Sequence, residues 1–519
     1  MVVRSPYPAV EIPDLPLTSF VLERAEEFGD KPALIDGPSG RTIKYHDLVA
    51  AVRAMAAGLT ARGFGKGDCF AIYLPNLPEY AVAFHAVASV GGINTTVNPL
   101  YTAHELAFQL DDSKAKFLLT VPQFLDKAIE AAGKSGVDEI FLLGEGEGAT
   151  PVTDLLSAGT DTPEVSFDVH NDLAVLPYSS GTTGLPKGVM LSHHNLVSNI
   201  CQFLGAQRID SEDSFIGLLP FFHIYGMTVI MNGGLRSGAT IVTMPRFDLE
   251  QFLDLSQNYK TTRAYLVPPV ILALAKHPVV DNYDLSSLGL IMSGAAPLGG
   301  DLAAAASKRL GCNVMQGYGL TETSPVTHAC PEDPSKNKPG SIGPPIPNTE
   351  CRVVDPAGGD EVGPGELGEV WIRGPQVMKG YLNNDEATSF TIDADGWLHS
   401  GDIGRVDSDG YFFLVDRLKE LIKYKGMQVA PAELESVLLS HPQITDAAVI
   451  GVADEEAGEV PKAFVVIQQE LSEDEIKAFV AERVAPHKKV RLVEVVDEIP
   501  KSASGKILRR VLKDREARA

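Results

Sequence analysis

The densest chemistry in this chain lies in ten residues, Ser179-Ser180-Gly181-Thr182-Thr183-Gly184-Leu185-Pro186-Lys187-Gly188, which follow the apolar run 173–177. Glycines let backbone N–H groups approach an anion, hydroxyls add donors, and one lysine supplies compact positive charge. Such a segment at the end of a strand suits a polyphosphate. It is not a Walker A loop, because the G-x-x-x-x-G-K-[ST] spacing fails. Composition alone also fits an ordinary Gly/Ser/Thr surface loop. A second segment, Gly317-Tyr318-Gly319-Leu320-Thr321-Glu322-Thr323, again places glycines, a hydroxyl and a carboxylate after an apolar run. Beside a phosphate Glu322 suits a magnesium ligand, since hard cations prefer oxygen; in isolation it reads equally as a solvated turn glutamate.

Further candidates sit at predicted strand ends. Asp402, in Ser400-Gly401-Asp402, could accept hydrogen bonds from both hydroxyls of a ribose, and Arg417, in Val415-Asp416-Arg417, could contact ribose or phosphate. Each also fits an isolated surface ion. Lys506 ends Pro500-Lys501-Ser502-Ala503-Ser504-Gly505-Lys506, where a lysine after Ser-Gly projects freely. His223 lies in the apolar run Phe221-Phe222-His223-Ile224-Tyr225-Gly226-Met227, which a packed core histidine would also explain.

The elements that must hold these groups are legible as short apolar runs separated by helical patterns. Strands are predicted at 33–35, 70–74, 117–121, 140–143, 215–219, 240–244, 288–292 and 313–316, with the capping box Thr102-Ala103-His104-Glu105 opening a helix. The alternation predicts an α/β architecture with mostly parallel sheets. From 340 to 415 Pro/Gly turns separate short strands such as 370–373 and 412–415, predicting a small β-rich region of hairpins. A third texture follows: a helix at 432–440, strands at 447–452 and 463–467, and a helix capped by Ser472. About a hundred residues is a normal size for a separate α+β domain. The expected division is residues 1–416 and 417–519, with the short charged linker 416–420 as a hinge.

Composition bounds the partners. The chain has 519 residues, 44% of them hydrophobic, so more than one core is expected and disorder is not. A net charge of −24 argues against nucleic acid or an anionic membrane, so an anionic ligand must be held by local cations and backbone donors. The five cysteines are scattered without a C-x-x-C pair, which suits reduced thiols and offers no cysteine zinc site. With no basic-then-apolar leader and no span of about 20 apolar residues, a cytoplasmic protein is expected. Oligomeric state is not encoded in any of these features.

Taken together, the motifs resemble those of the adenylate-forming superfamily: acyl- and aryl-CoA ligases, firefly-type luciferases and amino-acid adenylation domains. The resemblance implies a mobile C-terminal domain and the use of ATP, Mg2+ and coenzyme A. It makes Ser179, Ser180, Gly181, Thr182, Thr183, Gly184 and Lys187 the phosphate loop. It sets Ala295, Ala296 and Pro297 on one side of adenine and Gln316, Gly317, Tyr318 and Gly319 on the other. Thr321 would meet the AMP moiety, Glu322 the magnesium, and Asp402 and Arg417 the ribose. Lys506 would bridge the carboxylate and α-phosphate during adenylation, where a cation between two anions stabilises the transition state. Residues 419–431 match the acyl- and aryl-CoA ligase and luciferase pattern closely. By that match the small domain turns about Lys419, Lys506 withdraws, and a face carrying Lys423, Lys425, Gly426 and Gln428 approaches the adenylate for thioester formation.

Phe-His-Ile-Tyr at 222–225 and Gln-Val-Ala-Pro-Ala-Glu-Leu-Glu at 428–435 are most similar to 4-coumarate–CoA ligases and their bacterial relatives, over residues 17 to 510. His223 would then gate the acid, and Phe222, Tyr225, Met292 and Ala295 would line its pocket. No aspartate stands in this region for a substrate ammonium, so a free amino acid is disfavoured. Met292 stands where plant members usually have a lysine, and Trp371 replaces a cysteine of their pattern; the first opposes a preference for hydroxylated rings. The alternatives are a medium- or long-chain fatty acyl-CoA synthetase, a luciferase-like oxygenase and a non-catalytic nucleotide-binding module. The Pro-x-x-x-x-Gly-Lys form of 500–506 also resembles the sites where lysine acetyltransferases modify bacterial CoA ligases, which would make Lys506 a regulatory target.

Overall fold

Two eight-stranded sheets carry most of the chain, and their inner strands are the apolar runs read above. The computed structural model describes residues 1–157, 159, 161–162, 164–179, 186–425, 427–454, 456–502 and 505–516. One sheet runs, edge to edge, Gly380–Tyr381, Lys187–Ser192, Leu173–Ser179, Ile93–Thr96, Cys69–Ile72, Ala115–Thr120, Glu139–Leu142, Thr150–Pro151. The other runs Val326–Ala329, Asn313–Gly319, Leu290–Ser293, Arg263–Leu266, Ser214–Gly217, Thr240–Thr243, Pro32–Asp36, Thr42–Lys44. The pairs from Leu173–Ser179 to Thr150–Pro151 in the first sheet and from Asn313–Gly319 to Pro32–Asp36 in the second are parallel, and the pairs outside them are antiparallel. Parallel strands covered on both faces read as unbroken apolar runs, which is why Cys69–Ile72 and Leu290–Ser293 are buried at every position.

Helix Pro78–Ser89 is buried over almost its whole surface and contacts strands of both sheets. His85 is fully buried there, 3.2 Å from Thr18 Oγ1. No helix among the described residues is long and apolar enough to cross a membrane.

A five-stranded antiparallel sheet follows the predicted hairpins: Val3–Arg4, Glu350–Val354, Gly368–Arg373, Leu398–Val406, Phe412–Arg417. Its ladder sets Asp402 directly opposite Arg417. Trp371 lies on this sheet, stacked on His399 at 3.7 Å between ring centroids. Its Nε1 donates to Glu369 Oε2 at 2.9 Å, and Glu369 Oε1 accepts from the Gly401 N–H at 2.8 Å. The tryptophan that departs from the plant pattern thus braces the turn before Asp402.

The small C-terminal part has its own sheet, Met427–Val429, Ile422–Tyr424, Gly458–Ile467 and Ile444–Asp454, with Leu492–Val495 alongside Gly458–Ile467. Helices Pro431–Leu439 and Glu473–Ala481 cover a separate core built on Leu434, Leu438, Ala463, Val465, Ile476 and Val480. Ser472 caps the second helix through a capping box with Glu475, as the sequence predicts.

Candidate active site

The predicted phosphate loop joins two antiparallel strands. Ser179 ends one, Lys187 begins the next, and the two residues are cross-strand partners. Between them, Ser180, Gly181, Thr182, Thr183 and Gly184 lie outside the described residues. Lys187 Nζ sits 4.8 Å from the centroid of the Tyr381 ring, a cation–π contact, and Tyr381 Oη donates to Glu322 Oε1 at 2.9 Å. One tyrosine therefore ties the loop lysine to the predicted metal carboxylate. Glu322 occupies the short turn Thr321–Thr323 after strand Asn313–Gly319, with Thr321 half-buried beside it. Gly319 is required there, because a Cβ would lie 2.1 Å from the Pro325 carbonyl oxygen.

Glu322 is only 9% exposed, and ionised it is acceptor-only, with capacity left beyond the tyrosine bond. One such carboxylate, completed by phosphate oxygens and water, is a donor set that magnesium uses, so the site fits the ion.

The two predicted adenine flanks come from neighbouring parallel strands. Gln316 pairs with Ser293, so the turn 295–297 leaves the C-terminal end of Leu290–Ser293 beside residues 316–319, which continue as strand; that end is the usual ligand position in α/β sheets. Gln316 Oε1 accepts from the Leu298 N–H at 2.9 Å, and its Nε2 donates to the Ser341 carbonyl at 3.4 Å. Ala295, Ala296 and Pro297 are thereby held against the strand that carries Gly317 and Tyr318. Ala295 has φ +67°, in the left-handed region that a side chain disfavours, so this turn depends on outside support. Replacing Gln316 with leucine leaves the buried Leu298 N–H without its acceptor, at a cost of about 1–3 kcal/mol. ATP affinity, measured by equilibrium dialysis, is expected to fall at least fivefold; unchanged affinity would remove Gln316 from the adenine side.

Asp402 is buried and engaged. Tyr318 Oη donates to Oδ2, Arg417 Nε lies 3.2 Å from Oδ1, and the Asp402 N–H donates to Ser400 Oγ at 3.0 Å. A carboxylate offers about four acceptor sites, so two remain for sugar hydroxyls. Burial and Asp402 push the Tyr318 phenol well above its ordinary value, so it stays a donor.

Lys506 reaches this same centre from the small C-terminal part. Its loop is closed by Ser502 N–H to the Lys506 carbonyl at 2.8 Å and by Lys506 N–H to Ser502 Oγ at 3.1 Å. Gly505, at φ +78°, abuts Val267, whose Cγ2 would be 3.1 Å from an added Cβ. Burial and then the neighbouring Arg417 pull the Lys506 ammonium down to about 8, while Asp402 opposes them. Burial, with Lys506 second, pulls His223 down to about 4, so His223 is neutral at physiological pH. Its Nδ1 accepts from the Tyr225 N–H at 3.2 Å, which leaves the proton of the neutral ring on Nε2.

The predicted acyl-pocket residues converge. Tyr225 Oη donates to the Met292 carbonyl at 3.2 Å, and its ring covers Gly294, where a Cβ would fall 2.7 Å from Cε1. Met292 packs its Cε against Gly317, 3.3 Å from a Cβ placed there. Half-buried Phe222 accepts from Thr96 Oγ1 through its carbonyl at 2.8 Å.

The predicted thioester face stays apart. Lys423 and Gln428 are exposed cross-strand partners, and the Lys423 N–H donates to Glu459 Oε2 at 2.7 Å within the small part. Lys425 Nζ pairs with Glu456 at 2.6 Å, and Gly426 lies outside the described residues. Lys419 is exposed in a turn where the Leu418 N–H bonds the Gly401 carbonyl at 2.8 Å and the Glu420 N–H bonds the Arg417 carbonyl at 2.9 Å.

Three contacts that sequence reasoning missed seat helix Pro431–Leu439. Asp416 Oδ2 accepts from the Ala432 N–H at 2.8 Å, Lys276 Nζ donates to the Leu439 carbonyl at 3.2 Å, and Ser436 Oγ would lie 2.6 Å from a Cβ on Gly299. Tyr381 was also missed. Neither it nor these contacts has a sequence signal, since each pairs an unremarkable residue with one distant in the chain.

Residues 21–382 match the family described as AMP-binding enzyme, and residues 433–506 match the AMP-binding enzyme C-terminal domain. 4-Coumarate:CoA ligase 1 from Petunia hybrida is 45% identical over 529 aligned positions, covering 100% of this chain and 97% of that protein. Among solved structures, the anthranilate CoA ligase AuaEII in complex with anthranoyl-AMP superposes with a TM-score of 0.90 at 27% identity, covering 98% of each chain. MatB from Rhodopseudomonas palustris, 31% identical and covering 96% of this chain and 98% of its own, gives 0.88 in its ATP-bound form and 0.78 as the apo protein.

Proposed function

The chain belongs to the AMP-binding enzyme family, and from that premise we propose that it is an ATP-dependent carboxylic acid–CoA ligase acting on aryl-propenoic acids of the 4-coumarate and cinnamate type. The observation that carries the reading is the insertion of Lys506 beside Arg417, Asp402 and His223. In the first half-reaction a carboxylate oxygen bonds the α-phosphorus of ATP, the α–β phosphoanhydride bond breaks, and pyrophosphate leaves. Lys506 neutralises the two approaching anions, and Lys187 serves the phosphates. Gln316 and the Ala295–Pro297 turn hold the base, and Asp402 with Arg417 holds the ribose. Magnesium, held by Glu322 and phosphate oxygens, would supply positive charge to the polyphosphate. In the second half-reaction the thiol sulfur of coenzyme A bonds the acyl carbon and the bond to AMP breaks.

The second step needs Lys423 and Gln428 where Lys506 now stands. Division of the chain into 1–416 and 417–519, turning about Lys419, meets that need. The closer superposition on the ATP-bound relative than on its apo form supports reading the present arrangement as the adenylation state. Lysine acylation at Lys506 would remove the charge adenylation requires. Mass mapping after treatment with an acetyltransferase is expected to find Lys506 modified and adenylation lost together. Modification elsewhere with full activity retained would defeat that part. All five cysteines are free thiols, four of them buried, which supports a reducing, cytoplasmic setting.

Substrate choice follows from the pocket. A planar arylpropenoate gives up few rotors on entering walls of Phe222, Tyr225 and Met292, whereas a flexible chain gives up many. Tyr225 spends its hydroxyl on the Met292 carbonyl, and Met292 offers no ring hydroxyl a partner. Each buried hydroxyl left unpaired costs about 1–3 kcal/mol. Cinnamate is therefore expected to equal or exceed 4-coumarate in kcat/KM, and caffeate to fall below both. A preference for octanoate or palmitate in the same panel would overturn the aryl assignment and leave the ligase chemistry standing.

A further inference from the structure

Far from the nucleotide centre, Asp14, His170 and His194 bring one carboxylate oxygen and two imidazole nitrogens within 4.8 Å of one another. His170 Nε2 is 3.0 Å and His194 Nδ1 3.9 Å from the same oxygen, Asp14 Oδ1, and the two imidazole rings lie 4.0 Å apart between centroids. Tetrahedral zinc at 2.0–2.2 Å from its ligands separates them by about 3.3 Å, so the two measured spacings bracket what the ion requires. His194 Nδ1 is buried and has no hydrogen-bond partner, an orphaned lone pair or proton beside an acidic oxygen. We propose that Asp14, His170 and His194 form a binding site for a zinc-type divalent transition metal, with water completing the coordination.

The backbone holds the three residues independently of any metal. His194 is the second residue of helix His193–Ala206, capped by Ser192, and its N–H donates to the Val169 carbonyl at 2.8 Å, which fixes the turn bearing His170. The adjacent His193 accepts through Nδ1 from the Leu17 N–H at 3.1 Å, which fixes the segment bearing Asp14. Lys379, the cation that acts on His194, is tethered to Asn171 Oδ1 at 3.1 Å. Two imidazoles and one carboxylate select borderline metals such as zinc, cobalt and nickel over magnesium and calcium. The site adjoins the Ser192 end of strand Lys187–Ser192, about 17 Å along the strand from Lys187, so the metal clamps the N-terminal segment to the sheet without entering the chemistry.

The test uses the full-length protein, stripped of metal and free of nucleotide. Zinc binding is measured by calorimetry, cobalt binding by its visible absorption, and thermal stability with each ion. One equivalent of zinc or cobalt is expected to bind and raise the melting temperature, while magnesium and calcium leave it unchanged. His170→Ala, Asp14→Asn and His194→Gln are each expected to weaken zinc at least tenfold. His170 and Asp14 are exposed, so those two variants retain the fold. Zinc affinity unchanged in those two variants, or no stoichiometric metal in the wild type, would overturn the site.

Discussion

Replacing Lys506 with alanine is expected to cut adenylate formation by 10²–10³, about 3–4 kcal/mol of lost transition-state stabilisation, and to spare thioester formation from pre-made acyl-adenylate. The ammonium lies within electrostatic reach of Arg417, Asp402 and His223. On the proposed reading it is the cation of the C-terminal loop that lies between the carboxylate and the α-phosphate. Lys423→Ala and Gln428→Ala are expected to show the converse, because both side chains stay exposed on the small sheet. Stopped assays of pyrophosphate release and of CoA consumption from synthetic adenylate separate the two steps. Equal losses in both would contradict the assignment.

A pH profile offers an independent readout of the same residue. Because Lys506 is pulled down to about 8, it is charged below that pH and neutral above it. Adenylation kcat/KM, which reports the free enzyme, is therefore expected to decline as pH rises through about 8, while thioester formation from pre-made adenylate does not follow that decline. In Lys506→Ala the decline should vanish.

The second large effect concerns the bracket behind that loop. Three residues after Lys506, Arg509 places Nη2 2.8 and 2.7 Å from the two oxygens of Glu435, and its Nε donates to the Val449 carbonyl at 3.2 Å. Glu435 also accepts from the Val449 N–H at 2.8 Å. Glu435 is buried and the Arg509 side chain is only 13% exposed, so removing one partner leaves an uncompensated charge in the small core. Glu435→Ala is expected to destabilise that part by about 3–5 kcal/mol, whereas Glu435→Leu combined with Arg509→Met recovers most of the loss. Urea unfolding followed by a probe in residues 417–516 reads both values. Because the pair anchors the chain that presents Lys506, the single variant is also expected to slow adenylation more than thioester formation. A single-variant cost below about 1 kcal/mol would mean that water reaches the pair.

Strands such as Leu290–Ser293 and Cys69–Ile72 were legible because parallel strands covered on both faces leave plain apolar runs, whereas Lys187–Ser192 and Leu398–Val406, which carry Lys187 and Asp402, were not. Several others were not read, among them Ile93–Thr96 and Arg263–Leu266 in the sheet interiors. Ile93–Thr96 is a central strand of polar type: Asn94 and Thr95 are fully buried, Asn94 Nδ2 donating to the Phe84 and Ala174 carbonyls and Thr95 Oγ1 to the Leu176 carbonyl, and such residues signal turns in sequence. Arg263–Leu266 opens with a charged residue whose Nε and Nη1 reach Asp213 and Glu332 at 3.2 and 2.6 Å, a pairing no local pattern encodes. The site divides in the same way. Gln316, Tyr318, Asp402, Arg417 and Lys506 lie in recognisable segments, and the fold brings them together, although Asp402 sits in the middle of strand Leu398–Val406 rather than at the end the sequence suggests. Tyr381, the Asp416–Ala432 contact and the Asp14–His170–His194 cluster join residues far apart in the chain, and only the folded backbone makes them neighbours.

The central claim is that one centre first makes an adenylate and then transfers the acyl group. A single-turnover experiment with cinnamate and ATP, with coenzyme A withheld and then added, tests it most directly. Expected is one equivalent of pyrophosphate per enzyme before the addition, dependent on the acid, followed by one equivalent each of AMP and cinnamoyl-CoA after it. Pyrophosphate release that ignores the acid, or an adenylate that coenzyme A does not discharge, would contradict the account.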